Sequence, residues 1–310
     1  MTDYTYLDAF KQHLQEQDRA PLTIQGYLQD LRVFAAWFEA TNHETMTPHG
    51  ITPTDLNRFR QHMLLVERHK ASTVNRRLAS LSAYLSWAQT QSYITHNPAE
   101  HVRGVRQIPA GPRYLTRKEQ YALLRALEKD LAEAKRRYPR RWRGRQRDVS
   151  LVLLLLNTGL RLQEMLNLQK EDVTLSARKG QVLVRQGKGS KQRSVPLNKE
   201  ARQALEAWLA VRPVQPHSYL WAAVEAATEK PLSSRSVQRA LKRYAHAAQL
   251  TELSPHVLRH TFAKNLVDAG VGLEKVAALL GHANLNTTHM YITPSQIDLA
   301  HAVDVLDELY

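Results

Sequence analysis

Cysteine is absent from this chain of 310 residues, which excludes disulfides, thiolate nucleophiles and cysteine-based metal sites. Glycine and proline are scarce, with 12 and 13 residues, so the composition favours helices over a turn-rich all-β fold. No apolar run approaches the ~20 residues that a membrane-spanning helix needs. The N-terminus carries acidic side chains where a signal peptide has a basic stretch. These absences predict a soluble, cytoplasmic protein that does not contact a membrane.

Acidic residues are outnumbered, and this imbalance indicates the kind of partner. The chain has 43 Lys and Arg against 29 Asp and Glu, a formal net charge of +14 and a pI near 10.0. Because the first 108 residues hold 11 basic and 10 acidic side chains, nearly all of the excess lies in the remainder. Such a charge distribution favours a nucleic acid or another acidic surface as partner.

The densest basic stretch is residues 135–147 (KRRYPRRWRGRQR), which has eight basic and no acidic side chains. Taken alone, such a run indicates either a phosphate-binding loop or a solvated insertion. Arg140 and Arg141, near its centre, are candidates for contacts with a DNA backbone.

Two stretches near the N-terminus have apolar residues at helical spacing. Residues 22–38 predict a helix with Thr23 as its N-cap, and residues 72–88 predict another that begins after Ser72. The polar face of the second helix carries Arg76 and Arg77 beside small polar side chains. Such a face can lie on a phosphate backbone, although most faces of this kind simply meet water.

A segment without helical spacing follows these helices. Residues 104–115 (GVRQIPAGPRYL) contain two prolines and two glycines, a composition typical of an interdomain linker. Thr116 and Glu119 then form a capping box at the start of an amphipathic helix. We therefore expect three parts: a helical domain at 1–105, a linker at 106–115 and a larger domain at 116–310.

The periodicity changes from helical to extended in residues 181–197, where two extended stretches flank a Gly-Lys-Gly-Ser turn. This pattern predicts a β-hairpin. The expected fold class is therefore mainly α with a small β-hairpin or sheet (α+β). Helical spacing returns in four later stretches: residues 199–211, 234–248, 256–269 and 273–280.

The first motif of the larger domain is TGLRLQE at residues 158–164. Gly159 is expected to end an apolar helix and Arg161 to open the next, at the edge of a cleft. Glu164 lies one helical turn later, where it can bond the guanidinium of Arg161 or a neighbouring group. An ordinary helix-cap ion pair explains the motif equally well when it is taken alone.

The second motif is GKGSKQR at residues 187–193, on the expected hairpin tip. It projects Lys188 and Lys191 and ends at Arg193. The spacing differs from that of a Walker A loop, which disfavours nucleotide hydrolysis. A lysine on such a tip can donate a proton inside a groove, and a solvated turn is the alternative.

The third motif is HVLRH, which places His256, Arg259 and His260 on one helical face. Paired histidines at this spacing can bind a metal, but the glutamate of an HExxH motif is missing and the arginine would repel a cation. An arginine beside a histidine suits a phosphate instead, since the arginine supplies charge and the histidine moves a proton.

Two further features complete the set. LLGH ends a helix with Gly281 as the expected cap, and it leaves His282 just beyond the helix. Tyr291 follows nine residues later; alone, it would be read as a half-buried core residue. Together, arginines, a lysine, histidines and a tyrosine can cleave a phosphodiester without a metal, because cationic groups neutralise the charge that develops on the phosphate.

These motifs, in this order, resemble the tyrosine recombinase (phage integrase) family across roughly residues 151–291. The intervals of 23 residues from Arg259 to His282 and 9 from His282 to Tyr291 are similar to those of its Xer-type branch. One departure is the basic stretch 135–147, which lies in a segment longer than in the compact Xer enzymes. We expect it to be an added DNA-backbone contact or a protein-docking loop.

The resemblance implies a role for each motif residue. The reaction that it implies requires no cofactor, metal or ATP. Tyr291 would be the nucleophile that forms a 3′-phosphotyrosine, and Glu164 would support the first arginine. The other catalytic roles would be as follows: Arg161 and Arg259 clamp the scissile phosphate, Lys188 protonates the leaving 5′ oxygen, His256 takes the tyrosine proton, and His282 bonds the phosphate. The expected DNA contacts are Arg76, Arg77, Arg140, Arg141, Lys191 and Arg193.

The family also implies an architecture and an assembly. A helical core-binding (SAM-like) domain and a mixed catalytic domain would form a C-shaped clamp around double-stranded DNA. Four protomers would assemble on two inverted-repeat core sites, as a homo-tetramer or with a second recombinase, close to the nucleoid. The stretch after Tyr291 would either dock on a neighbour or form an intramolecular helix, with Val303, Leu306 and Leu309 as anchors.

Two other functions use similar residues. A non-catalytic DNA-binding accessory factor would be expected to lack one of the six catalytic residues, and none is missing. A type IB topoisomerase would nick and reseal DNA without exchanging partners. Within recombinases, dimer resolution, cointegrate resolution and integration of a mobile element all remain open.

Overall fold

The computed structural model describes residues 5–107, 111–185, 192–215, 218–224 and 231–282. The chain divides into two compact units, Met1–Pro109 and Ala110–Tyr310. The division falls inside the segment 106–115 that the sequence indicates as a linker. No described helix combines the length and the apolar content needed to cross a bilayer.

The first unit is helical in its described residues. Apolar residues recur every three or four positions along its helices and so face a common core, in which several aromatic rings pack together. Phe34 and Phe59, for example, pack edge to face with ring centroids 5.0 Å apart. The α-helices of this unit are α1 (Thr5–Glu16), α2 (Pro21–Asn42), α3 (Pro53–Leu65) and α4 (Ala71–Thr90).

The predicted N-cap of α2 and the predicted start of α4 are wrong, although both helices are present. The N-cap of α2 is Ala20, because Pro21 fits the first helical position and starts the helix before Thr23. The N-cap of α4 is Lys70, since the strong helix former Ala71 begins the helix and leaves Ser72 inside it.

The second unit combines helices with one three-stranded antiparallel sheet of order β1-β2-β3. Its described α-helices and β-strands are α5 (Arg117–Arg137), α6 (Arg143–Thr158), α7 (Leu162–Asn167), β1 (Val173–Leu175), β2 (Gly180–Val184), β3 (Arg193–Pro196), α8 (Lys199–Leu209), α9 (Ser234–Ala247), α10 (Pro255–Asp268) and α11 (Leu273–Leu280).

The mainly α fold class with a small sheet is confirmed, and so is the hairpin. In its register, Val184 faces Arg193 and Gln181 faces Pro196. The capping box of Thr116 and Glu119 is also present at the start of α5. The sequence did not indicate β1, because a strand of three residues is too short to show an alternating pattern.

Helix α6 forms the centre of the second unit. It packs on α5, α8 and α10, and its apolar run 151–156 is buried or nearly so around the helix. A helix that is apolar on all sides is stable only when other elements surround it. The end of α6, where the first motif lies, is therefore held inside the unit.

The basic stretch 135–147 is mostly helical, so the expectation of a loop is wrong for most of it. Residues 135–137 end α5 and residues 143–147 begin α6. Only residues 138–142 form a turn, against which Lys135 lies over the Trp142 ring at 4.8 Å from its centroid. Because α5 and α6 extend into the stretch from both sides, only these five residues connect the two helices.

Candidate active site

The turn between α6 and α7 places Arg161. Gly159 ends α6 with a φ of +62°, and a Cβ there would lie 2.4 Å from Cδ1 of Phe262. Only glycine therefore satisfies both the left-handed backbone and the close packing. Arg161 follows as the N-cap of α7, where its backbone N–H donates to Oε2 of Glu164 at 2.9 Å. The predicted end of α6 and start of α7 are confirmed.

Glu164 joins two arginines. Its Oε1 accepts from Nη1 of Arg161 at 2.8 Å and from Nη1 of Arg193 at 3.0 Å, and its Oε2 accepts from Nη2 of Arg193 at 2.7 Å. Burial alone would raise the pKa of this carboxyl, but the bonds from Arg193 and Arg161 outweigh it and hold the pKa below its usual value. Glu164 is therefore ionised at neutral pH.

The carboxyl end of α11 receives three guanidinium groups on three successive carbonyls. Nε of Arg193 donates to Leu279 O at 3.1 Å, Nη2 of Arg259 to Leu280 O at 2.9 Å, and Nη2 of Arg161 to Gly281 O at 3.2 Å. The last carbonyls of a helix lack partners within the helix and carry its negative dipole end. The end of α11 therefore aligns all three cations.

Gly281 makes this close approach possible. It ends α11 with a φ of +66°, as the LLGH motif predicted, and a Cβ there would lie 2.8 Å from Cζ of Arg193. Any side chain at this position would strain the backbone and push the guanidinium away.

Helix α10 supplies the HVLRH face. Ser254 caps the helix by accepting from the N–H of Val257, and Pro255 takes the first helical position. Arg259 is 5% exposed and also donates to Gly159 O at 2.6 Å. The rings of His256 and His260 lie 6.4 Å apart, so the predicted shared face is confirmed for the two histidines, whereas Arg259 is buried and His256 is exposed.

Two histidines next to these arginines are held neutral. Burial and the charges of Arg259, Arg161 and Arg193 lower the pKa of His282 to about 4. Burial, His256 and Arg259 likewise lower the pKa of His260. A neutral imidazole still carries one N–H donor, so His282 can donate a hydrogen bond to an anion at neutral pH. The surrounding positive charge favours an anionic ligand such as a phosphate.

The structure therefore brings together five of the predicted site residues: Arg161, Glu164, Arg193, Arg259 and His282. His256 is exposed on the same helix as Arg259. Lys188, Lys191 and Tyr291 lie outside the described residues, as do Val303, Leu306 and Leu309. Within the described ranges, no group of three His, Asp or Glu side chains is arranged to hold a metal.

The predicted DNA contacts lie in three different settings. Arg140 and Arg141 are exposed on the turn between α5 and α6. Arg76 and Arg77 of the first unit lie beside the buried Asp30. Arg193 is 13% exposed and lies within the arginine cluster.

Sequence reasoning missed the link between Arg193 and Glu164. The two residues are 29 positions apart, on different elements, and nothing local to either one indicates the pairing. The available signal in the sequence was the setting of the acid: Glu164 stands beside the apolar Met165 and Leu166, and a carboxylate that is buried with such neighbours needs partners for both of its oxygens.

Two family models match the chain. The model described as "Phage integrase family" matches residues 113–296, and the model described as "Phage integrase, N-terminal SAM-like domain" matches residues 7–92. Together they cover most of both units.

Curated relatives match over nearly the whole length. A tyrosine recombinase XerC from Thermodesulfovibrio yellowstonii is 30% identical over 310 residues, covering 98% of this chain and 95% of the relative. A tyrosine recombinase XerA from Thermococcus kodakarensis is 31% identical over 285 residues, covering 92% and 89%.

Solved structures share the fold. A post-cleavage complex of the XerH site-specific recombinase with palindromic difH substrate has a TM-score of 0.74 at 23% identity, covering 96% of this chain and 85% of that one. The Tn1549 transposon integrase in complex with a circular intermediate DNA has a TM-score of 0.71 at 19% identity, covering 96% and 98%. The motifs, the fold and these matches agree: the chain belongs to the phage integrase family of tyrosine recombinases.

Proposed function

We propose that this protein is a site-specific DNA recombinase that cleaves and rejoins strands through a 3′-phosphotyrosyl intermediate. The observation that carries the proposal is the alignment of Arg161 and Arg259 on the end of α11, beside the neutral His282. Arg161 uses two of its five side-chain N–H groups in its bonds to Glu164 and Gly281, and its side chain is 31% exposed. It therefore retains donors for a phosphate oxygen.

Each residue has a defined part in the reaction. The hydroxyl of Tyr291 attacks the scissile phosphorus while His256 takes its proton. The bond from phosphorus to the 5′ oxygen breaks, and Lys188 gives that oxygen a proton. Arg161, Arg259 and His282 stabilise the charge on the non-bridging oxygens, as preorganised donors do in other enzymes. Glu164 holds Arg161 in place.

The reverse of this step seals the strand, and attack by a 5′ hydroxyl from another duplex exchanges partners. Because the energy of the broken bond is kept in the tyrosyl ester, the reaction needs no ATP, and the arginines take the part that a metal plays elsewhere. The structures of similar fold include complexes with DNA, which supports a DNA substrate. We propose that this substrate is a duplex with inverted-repeat core sites, bound by four protomers in a synapse. A second recombinase in that tetramer is the alternative to identical protomers.

The two units divide the work in this proposal. The helical domain 1–105 binds one face of the duplex through Arg76 and Arg77, and the catalytic domain 116–310 binds the other. Lys191, Arg140 and Arg141 add contacts with the backbone, and the end of the chain reaches a neighbouring protomer. The excess of basic residues in the second part of the chain supports this arrangement.

Denaturing capture of protein-linked DNA tests the proposal and does not require a known target sequence. Cells expressing the wild type and Tyr291→Phe are lysed in denaturant, and the DNA ends bound to protein are sequenced. Discrete ends at inverted repeats, lost in Tyr291→Phe, are expected. Scattered ends that depend on Tyr291 would indicate topoisomerase-like activity, and an absence of ends would indicate a non-catalytic DNA-binding factor.

The role of Lys188 has its own test. Lys188→Ala should slow cleavage, and a substrate with a 5′-thio leaving group should restore the rate, because a thiolate leaves without being protonated. Lys191→Ala is the matched control, since it removes a neighbouring lysine of the same motif. Rescue of Lys191→Ala alone would transfer the acid role to Lys191.

A further inference from the structure

We propose that Arg193 is a positioning residue for cleavage, and that it holds Arg161 and the end of α11 in place instead of contacting DNA. This inference rests on the proposed function and deepens it. It assigns to the recombination site a residue that lies outside the phosphate-binding set of Arg161, Arg259 and His282.

All three guanidinium nitrogens of Arg193 are bonded to protein. Nη1 and Nη2 donate to the two oxygens of Glu164, and Nε donates to Leu279 O. To reach a DNA phosphate, Arg193 would have to leave a buried carboxylate without its bidentate partner, which costs more than an exposed phosphate contact returns.

Glu164 transmits the position of Arg193 to Arg161. Its Oε1 accepts from both arginines, and its Oε2 accepts from Arg193 and from the backbone N–H of Arg161. The carboxylate is therefore held in one orientation from two sides. Without Arg193, only Arg161 and its backbone would direct the carboxylate, so the carboxylate and the Arg161 guanidinium would be free to shift together.

Arg193 also links the β-hairpin to the helix that precedes His282. It is the first residue of β3, and its Nε is bonded to the last turn of α11. The guanidinium lies against the Cα of Gly281, where a Cβ would clash with it. One side chain therefore fixes the hairpin, the end of α11 and, through Glu164, the first phosphate-binding arginine.

The test separates rate from affinity on the duplex that the capture experiment recovers. Arg193→Ala is compared with wild type by the dissociation constant over a range of salt concentrations and by single-turnover cleavage at saturating protein. We expect cleavage to fall by about 100-fold, the size of effect seen when one preorganised donor is lost. The dissociation constant should stay within about 2-fold, and the salt dependence of binding should not change, since no phosphate contact is removed.

Two further variants keep the test independent of folding. Arg193→Lys retains a positive charge beside Glu164 but cannot bond both carboxylate oxygens and Leu279 O together, so it should fold and still cleave at least about 10-fold more slowly. Arg185→Ala is the matched control, because Arg185 follows β2 of the same hairpin and pairs with a different buried carboxylate, Asp172. Its cleavage rate should equal that of wild type.

A double-mutant cycle shows whether Arg193 acts through Arg161. If it does, Arg161→Ala combined with Arg193→Ala should lose clearly less than the product of the two single losses, whereas independent roles would multiply them. Multiplied losses would overturn the proposal. So would weaker binding with a salt slope reduced by about one at an unchanged cleavage rate, the signature of a lost phosphate contact.

The outcomes also separate this inference from the proposed function. If wild type forms no covalent complex, the proposed function fails and the role of Arg193 fails with it. If wild type cleaves and both Arg193 variants cleave at its rate, only the role of Arg193 is overturned.

Discussion

In the first unit, Asp30 of α2 pairs with Arg76 and Arg77 of α4; in the second, Glu164 of α7 pairs with Arg161 and Arg193. Both carboxylates are buried. Each cluster also has one arginine that is 13% exposed and one that is more open, but Arg76 is 56% exposed and Arg161 only 31%.

The two clusters differ in what surrounds the arginines. Both arginines of the first unit come from one helix, where Ser80 also donates to Asp30. Those of the second unit come from a turn and a strand, and they also donate to the carbonyls of Leu279 and Gly281. In the first unit, Arg77 is held by Glu67 as well as by Asp30, but the side-chain contacts described for Arg76 are to Asp30 alone, so Arg76 can follow a DNA phosphate. Each arginine of the second cluster is anchored at two points and has a fixed position. We therefore expect the first cluster to control affinity and the second to control the rate of cleavage.

Removing the more open arginine of each cluster should give the largest contrast. Arg161→Ala should lower single-turnover cleavage by about 10³-fold, because a group that stabilises the transition-state charge is lost. Arg76→Ala should weaken binding severalfold and reduce the salt slope by about one, with cleavage at saturating protein unchanged. Filter binding and quenched-flow cleavage on one duplex measure both. A slower cleavage step in Arg76→Ala would remove the distinction.

Two glycines sharpen the comparison within the second unit. Gly281→Ala should strain the backbone and displace the Arg193 guanidinium, so we expect cleavage to fall by about 10-fold or more. Gly270→Ala is the matched control: Gly270 has a φ of +79°, but a Cβ there meets nothing within 4 Å. It should lose only about 1 kcal/mol of unfolding free energy to strain and cleave like wild type. Equal cleavage by the two variants would argue against the packing of Gly281 on Arg193.

The pH dependence of His282 follows from the same cluster. Its pKa of about 4 lies below the ordinary 6.5, so the unfolded state binds a proton more readily. The contribution of His282 to the free energy of unfolding is fully present above pH 6.5 and is lost as the pH falls toward about 4.

Imidazole NMR should show His282 neutral at pH 6 in the free protein, with His282→Gln identifying the signal. Addition of the DNA duplex should raise this pKa, because a phosphate stabilises the protonated ring. If His282 of the free protein were protonated with a pKa near 6.5, the arrangement of the three arginines around it would be contradicted.

The exposed turn should affect binding and leave cleavage unchanged. Arg140 and Arg141 are exposed and lie outside both clusters. Substitution of both by Ala should reduce the salt slope of binding by about two and leave saturated cleavage unchanged. An unchanged affinity and salt slope would leave protein docking as the interpretation of this turn.

Local signals predicted much of this molecule. The glycines that end α6 and α11, the capping box of Thr116 and the shared face of His256 and His260 each depend on residues within a few positions of one another. Periodicity also predicted the bounds of α11 without error. These features follow from backbone conformation and side-chain spacing, which a single stretch of sequence encodes.

The remaining features depend on contacts between distant positions. Arg161 meets the carbonyl of Gly281 across 120 residues, and Arg76 meets Asp30 across 46. Arg193 was predicted as a DNA contact because a basic residue near a hairpin tip is normally solvated. Its inward position depends on where α11 ends, which only the packed unit determines.

The most direct test of the contrast is to neutralise each carboxylate, with Glu164→Gln and Asp30→Asn compared on one duplex. Dissociation constants across salt and cleavage rates at saturating protein are measured for both. We expect Glu164→Gln to bind like wild type and cleave at least about 10-fold more slowly, since Arg161 loses its charged support. We expect Asp30→Asn to change binding and to cleave like wild type once bound. A loss of affinity without a loss of rate in Glu164→Gln would contradict the assignment of its arginines to chemistry.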